Sequence, residues 1–307
     1  MAANDSSVRV IVRMINDRII IVQVLISLFL CINLLLITVF FMKDFFYTTM
    51  RYIFFALTLM SDCVILILSN VLLLFSYFEF TINMSLCLIV YVALSLYTFV
   101  TPVTLTVMTL ERFVAICMPL RHGELCSTRS ALHCILIIHG VSSLPCVVFL
   151  SIFFASASHR FYTKSDMCFA EKFIFHTWQG HLRSAISQFY FLTMCIVIMF
   201  SYFKIMKVAR AASGQNRKST WKGLRTVVLH GFQLLLCLFQ LWCTFIEAAV
   251  LQIYPMVYVN VRYFNYIMFI LSPRCLSPLI YGLRDEKFFF ALRSFVLCGL
   301  YKKQLSN

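Results

Sequence analysis

Two ionisable side chains stand where an apolar sequence gives no reason for them. Glu111 and Arg112 close a run that carries no charge from Thr81 to Leu110. Two more stand alone inside other apolar runs, Asp62 within residues 52–78 and Arg274 within 263–283. A charge in such surroundings is costly unless it is paired, hydrogen-bonded or hydrated. The chemistry open to these residues is therefore electrostatic. A Glu-Arg pair at the edge of an apolar helix most simply anchors that end at the interface, each charge neutralising the other. Asp62 and Arg274 carry opposite charges, and in one low-dielectric interior they are expected to meet, directly or through water. The sequence holds no His-Glu-x-x-His, no Gly-x-Ser-x-Gly and no paired aspartates. No enzymatic activity, metal or other cofactor is expected.

The elements that position these charges follow from composition. Of 307 residues, 62% are hydrophobic and 12% are charged, against about 25% charged in soluble domains. Seven windows are long enough to cross a bilayer, which takes roughly 20 apolar residues. They are 19–42, 52–78, 80–110, 130–158, 184–203, 226–246 and 263–283. Continuous apolar runs exclude the alternating pattern of a membrane β-barrel. In hydrocarbon each backbone must satisfy its own hydrogen bonds, so each window reads as a helix. The expected fold is an all-α membrane protein, a single seven-helix bundle. Residues 1–18 form an outer tail, 19–283 the bundle, and 284–307 a cytoplasmic helix and tail. With the N-terminus outside, the inner segments hold 17 Lys and Arg and the outer ones eight. That bias sets the orientation as N-out and C-in. The net charge of +14 is then mostly topology and contact with anionic lipid. Basic residues dispersed over loops do not suit nucleic acid.

Most of the 13 cysteines fall inside spans, where Cys behaves as a small apolar residue. Cys87 and Cys168 fall near the outer side, and a bridge between them would tie the long second outer loop over the bundle. Asn4-Asp5-Ser6 is a glycosylation sequon in the outer tail; Asn83-Met84-Ser85 is a second one, too near the membrane to be modified. After the last span, Phe288, Phe289, Leu292, Phe295 and Val296 share one helical face, as in an amphipathic helix at the inner interface. Cys298 beyond it is a candidate palmitoylation site.

Glu111-Arg112-Phe113 resembles the Asp/Glu-Arg-Tyr triplet of rhodopsin-like G-protein-coupled receptors. The longer string from Met108 to His122, MTLERFVAICMPLRH, is similar to the signature of olfactory (odorant) receptors in the form common among fish. Further landmarks agree in order along the chain: Ser201-Tyr202-x-x-Ile205, Lys222-Gly223-Leu224-Arg225-Thr226 through His230, and Pro278 to Asp285. There are departures. Ser277-Pro278-x-x-Tyr281 stands where the wider family has Asn-Pro-x-x-Tyr, Cys31-Ile32-Asn33 where Gly-Asn is common, and span six has no Pro.

The resemblance implies roles. Glu111 and Arg112 would be the switch, with Tyr202 bonding Arg112 in the open state and His230 and Tyr281 near the same inner face. An acid on the inner end of span six, which locks this Arg in some relatives, has no counterpart between Lys204 and Ile246. Pro119 would end span three, because the residue before Pro avoids the α region. The family uses the equivalent of Asp62 to hold sodium; here the Arg274 guanidinium would take that place, with Asn33 and Ser277 as further polar groups inside the membrane. Pro273 and Pro278 should kink span seven, with Ser277 bonding freed carbonyls. His133 and His139 read as packing residues. The ligand would bind in the outer half of the bundle, against Leu94, Ser95, Thr98 and Phe99, Ser187 and Tyr190, Phe245 and Glu247, and Tyr263 and Tyr266. No acid stands on span three facing that site, which argues against amine binding of the aminergic type. Glu247 would pair with Arg262 at the rim, and Glu171 and Lys172 would lie on the lid. The implied partners are a small-molecule odorant, a heterotrimeric G protein of the stimulatory olfactory type, and lipid. The implied location is the plasma membrane of sensory cilia. The competing readings are a non-olfactory receptor of the same class and a transporter.

Overall fold

The apolar windows fold as a helical bundle in the computed structural model, which describes residues 2–212, 217–253, 255–278 and 287–295. In chain order, α1 (Ala2–Phe41) crosses with Asn16–Phe41, and a short α2 (Asp44–Thr48) leads into α3 (Met50–Tyr77). Strand β1 (Thr81–Asn83) precedes α4 (Met84–Cys117), which is followed by α5 (Pro119–Leu125) and α6 (Thr128–Ser156). The second outer loop contains α7 (His159–Thr163), β2 (Ser165–Met167) and a 3-10 turn (Ala170–Phe173). Then come α8 (Thr177–Ala212) and α9 (Arg217–Ile253), with its apolar segment at Gly231–Glu247. The seventh span is a rod in three pieces: α10 (Pro255–Asn265), a π-helical turn (Tyr266–Leu271) and α11 (Ser272–Ser277). A helix at 287–295, here α12, lies at the inner end.

Local sequence sets the boundaries. The side chain of Asn83 accepts from Ser85 N at 2.8 Å and caps α4, and Ser127 caps α6 by accepting from Ser130 N at 3.2 Å. Asn83 is thus engaged in both a cap and a strand pairing. Met118 leaves the helical region (φ −135°, ψ 57°) and Pro119 opens α5 at its first position, where its missing N–H costs nothing. This is the break expected after Glu111-Arg112.

Side chains sort by solvent in the manner of a membrane protein. Ile89, Leu136, Phe189, Ile196 and Met199 are each more than 60% exposed, which hydrocarbon tolerates and water would not. Inside, Phe54, Phe55, Leu59, Val100, Leu105, Leu234 and Leu238 form the central core. At the outer end Tyr91, Phe149, Phe153, Phe161 and Phe173 interlock ring on ring. There β1 pairs antiparallel with β2, Ile82 opposite Asp166, and Cys87 is bonded to Cys168 with Cα atoms 5.6 Å apart. Strand pairing, disulfide and aromatic cluster together fasten the loop over the bundle. At the inner end Phe288 of α12 is fully buried among Phe46, Phe55 and Tyr52, so one face of α12 belongs to the core as well as to the interface. Phe290 on the same helix is 63% exposed.

Candidate functional site

Three polar features are stacked through the bundle. The middle one is built on the expected pair. Asp62 of α3 and Arg274 of α11 are both buried, and Arg274 Nε lies 3.7 Å from Asp62 Oδ1. That is ion-pair distance and too long for a hydrogen bond. The remaining contacts explain how two charges persist there. Ser277 Oγ donates to Asp62 Oδ2 at 2.9 Å, and Gln233 Nε2 donates to Ser277 Oγ at 2.6 Å. Arg274 Nη2 donates to Gln240 Oε1 at 2.9 Å; Nη1 donates to the carbonyls of Phe269 at 3.0 Å and Ile270 at 2.7 Å.

Those two carbonyls are available for a reason written in the chain. Proline has no N–H, so Pro273 cannot donate to the carbonyl of Phe269, four residues back. In the preceding π-turn hydrogen bonds span five residues instead of four, as from Ser272 N to Ile267 O. The guanidinium supplies the missing donor. Ser277 has one hydroxyl proton, and its geometry favours Asp62 at 2.9 Å over the carbonyl of Pro273 at 3.4 Å. Its expected role as a backbone donor is therefore secondary. The network joins α3, α9 and α11. Gln233 and Gln240 were not anticipated, although two glutamines seven residues apart in an apolar window share one helical face. Asn33 is fully buried on α1.

The outer feature is a cavity of about 550 Å³. It is lined by Leu94, Ser95, Thr98 and Phe99 of α4, Ser187 of α8, Glu247 of α9, Tyr263 of α10 and Tyr266 of the π-turn. Two expected residues do not line it. Phe245 is 48% exposed; it sits two residues from Glu247, about 200° around the helix, and faces lipid. Tyr190 shares the inward face of α8, but its hydroxyl donates to the carbonyl of Val141 at 2.6 Å and its ring meets Phe99 edge-on. It buttresses the cavity wall. Residues not anticipated there include Tyr91, Arg18, Arg183, Gln240 and Tyr258. Tyr266 hydrogen-bonds Ser69 at 3.1 Å, and Glu247 accepts from Asn265 at 3.0 Å. Arg262 donates to the Tyr258 hydroxyl at 2.9 Å.

The inner feature surrounds Glu111 and Arg112 at the end of α4. Glu111 Oε1 lies 3.4 Å from His122 Nε2 of α5, a partner not foreseen. The donor atoms of Glu111, His122 and Cys126 all lie within 4.8 Å of one another, the one grouping among the described residues able to hold a metal ion. Tyr202 of α8 is partly buried against the core. Its ring crosses Gly231 of α9 so closely that a Cβ there would stand 2.9 Å from Tyr202 Cε2. Glycine at 231 is what lets the two helices touch at this level. The side chains of Asn4, Glu171 and His230, and residues Tyr281 and Cys298, lie outside the described set.

Comparison with known proteins gives two findings. The family described as 7 transmembrane receptor (rhodopsin family) matches residues 32–281. The Odorant receptor 131-2 of Danio rerio is 39% identical over 285 residues, which cover 91% of this chain and 86% of the relative.

Proposed function

The chain belongs to the rhodopsin family of seven-transmembrane receptors, and from that premise we propose that it is an odorant receptor. It takes a small molecule into the outer cavity and activates a heterotrimeric G protein at the inner face. The observation that carries the reading is the outer cavity of about 550 Å³, mostly apolar with a few hydroxyls, a lining usual for small-molecule sites. The name of the Danio rerio relative supports the chemosensory use. The family is one of receptors rather than enzymes, and a multi-pass receptor belongs in the cell membrane. We assign sensory cilia as the location and a stimulatory olfactory-type G protein as the partner.

The mechanism follows from the stack. A ligand against Thr98, Phe99 and Tyr266 bears on α4 and on the seventh span. Tyr266 opens the π-turn whose carbonyls Arg274 holds, and Arg274 reaches α9 through Gln240. Strain at the cavity is thereby passed to α9, which meets Tyr202 at Gly231. Movement of α9 opens the inner face, where Arg112 engages the G protein once Glu111 no longer masks it. The test is ligand-dependent nucleotide exchange in transfected cells, with surface expression measured in parallel. Arg112→Ala is expected to abolish exchange, and Glu111→Gln to raise it without ligand. Full exchange from a correctly trafficked Arg112→Ala receptor refutes the mechanism. Ligand-dependent current or uptake without a G protein would replace the receptor reading by a transporter.

A further inference from the structure

The cavity has a charge pattern that its apolar lining does not explain. Arg18 of α1, Arg183 of α8 and Arg262 of α10 all line it, against one carboxylate among the described residues, Glu247. The partners of these arginines are neutral. Arg18 donates to Asn260 Oδ1 at 2.7 Å and stacks 5.1 Å from the Tyr263 ring. Arg262 donates to the Tyr258 hydroxyl and lies over that ring at 5.7 Å. Arg183 lies 5.7 Å over Tyr91, and among the described residues no carboxylate lies within 4 Å of it. Hydrogen bonds to an amide or a phenol, and stacking on a ring, orient a guanidinium and leave its charge in place. Among the described residues the acid of the lid is Asp166, held by Lys172 at 2.8 Å and Lys164 at 2.9 Å. Glu247 accepts from Asn265 on the seventh span.

The cations are also placed by depth. Arg18 stands at the outer start of the first crossing, Arg183 in the second turn of α8, and Arg262 on α10, all at the outer mouth. Deeper lie Ile65, Leu94, Phe99 and Leu241. A ligand that matches both levels has a negative head and an apolar body.

Building on the receptor reading, we propose that the cavity selects amphiphilic monoanions, such as medium-chain carboxylates and sulfonates, with the head at Arg183 and the neighbouring arginines and the chain against Phe99 and Leu241. Three cations around one opening attract an anion and repel an ammonium group.

The test uses matched sets of C6 to C10 compounds (sodium carboxylate and sulfonate, methyl ester, alcohol and primary amine) on cells expressing the full chain. Nucleotide exchange and surface expression are both recorded. The expected result is activation by the acids at concentrations about tenfold or more below those of their neutral isosteres, and no response to the amines. Arg183→Gln should raise the half-maximal concentration of the acids about tenfold and leave that of any active alcohol unchanged. Arg183→Lys should restore most of the response to the acids, which a merely structural arginine would not require. Equal potency of acids and alcohols, silence of all the acids, or an unchanged acid response in Arg183→Gln overturns the proposal. A response to alcohols or amines that Thr98→Leu abolishes would overturn the anion preference and leave the outer cavity as the ligand site. A response untouched by Thr98→Leu and Phe99→Ala would instead remove the cavity reading.

Discussion

Removing either end of the Asp62–Arg274 pair should cost far more than the pair itself is worth. A buried ion pair roughly breaks even against its desolvation, whereas deleting one partner leaves the other uncompensated and costs about 3–5 kcal/mol. Arg274→Met also strips the donors from the carbonyls of Phe269 and Ile270 and from Gln240. The Phe269 carbonyl has no proline N–H to return to, and a buried orphan acceptor costs about 1–3 kcal/mol. Arg274→Met is therefore expected to lose roughly 4–8 kcal/mol. Asp62→Asn should lose about 3–5 kcal/mol, because Arg274 then faces no anion while Ser277 keeps a partner. If the sites were independent the double variant would lose the sum. Because each single loss includes the cost of stranding the other charge, the double variant should lose little more than Arg274→Met alone, a coupling of roughly 3 kcal/mol. The assay is the apparent melting temperature of receptor in nanodiscs for the four members of the cycle. At roughly 2–4 °C per kcal/mol, Asp62→Asn should fall by about 6–20 °C, Arg274→Met by about 8–32 °C, and the double by much less than the two drops added. Additivity within about 0.5 kcal/mol refutes the view that these charges hold one another.

Three other expectations rest on separate contacts. Gly231→Ala places a methyl 2.9 Å from Tyr202 Cε2, so basal nucleotide exchange should shift; in a Tyr202→Leu background the same substitution should have no effect. Cys87→Ser, Cys168→Ser and the double variant should lose surface expression to the same degree, since each opens the bridge between positions 81 residues apart; native disulfides in small domains are worth about 2–5 kcal/mol. Lys172, Lys164 and the Met167 N–H hold the Asp166 carboxyl well below the usual carboxylate range. A depressed value stabilises the lid at neutral pH and loses that effect only as pH falls below about 4. Hydrogen exchange across β1 and β2 should therefore be equally protected at pH 7.5 and pH 5.5 once intrinsic rates are removed, and Asp166→Asn should weaken it at both.

Much of the bundle could be read from charge alone. Apolar windows mark spans because hydrocarbon disfavours charge, and the same rule makes Asp62 and Arg274 conspicuous enough to be paired from the sequence alone. Eight of the ten expected ligand residues line the cavity, because helical spacing carries a residue reliably to one face. Phe245 shows the limit: an error of two residues in helical phase turns a side chain from cavity to lipid. Tyr190 shows another, since phase cannot say that its hydroxyl will seek the Val141 carbonyl. In the sequence Arg18 and Arg183 are topology signals and Arg262 is a partner for Glu247, whereas Arg262 donates to Tyr258; nothing in their spacing says that α1, α8 and α10 bring the three to one opening. The π-turn had no local signature beyond the proline that follows it.

That turn makes the seventh span a rod with two independently clocked halves. One surplus residue in a helical turn rotates everything beyond it by about 100°, so Tyr263 and Tyr266 can point at the cavity while Arg274 and Ser277 point at Asp62. Loss of a single residue within Tyr266–Leu271 would re-index the upper half and, with it, the Phe269 and Ile270 carbonyls that Arg274 holds. One change in the turn would therefore alter what the cavity presents and what Arg274 grips at the same time.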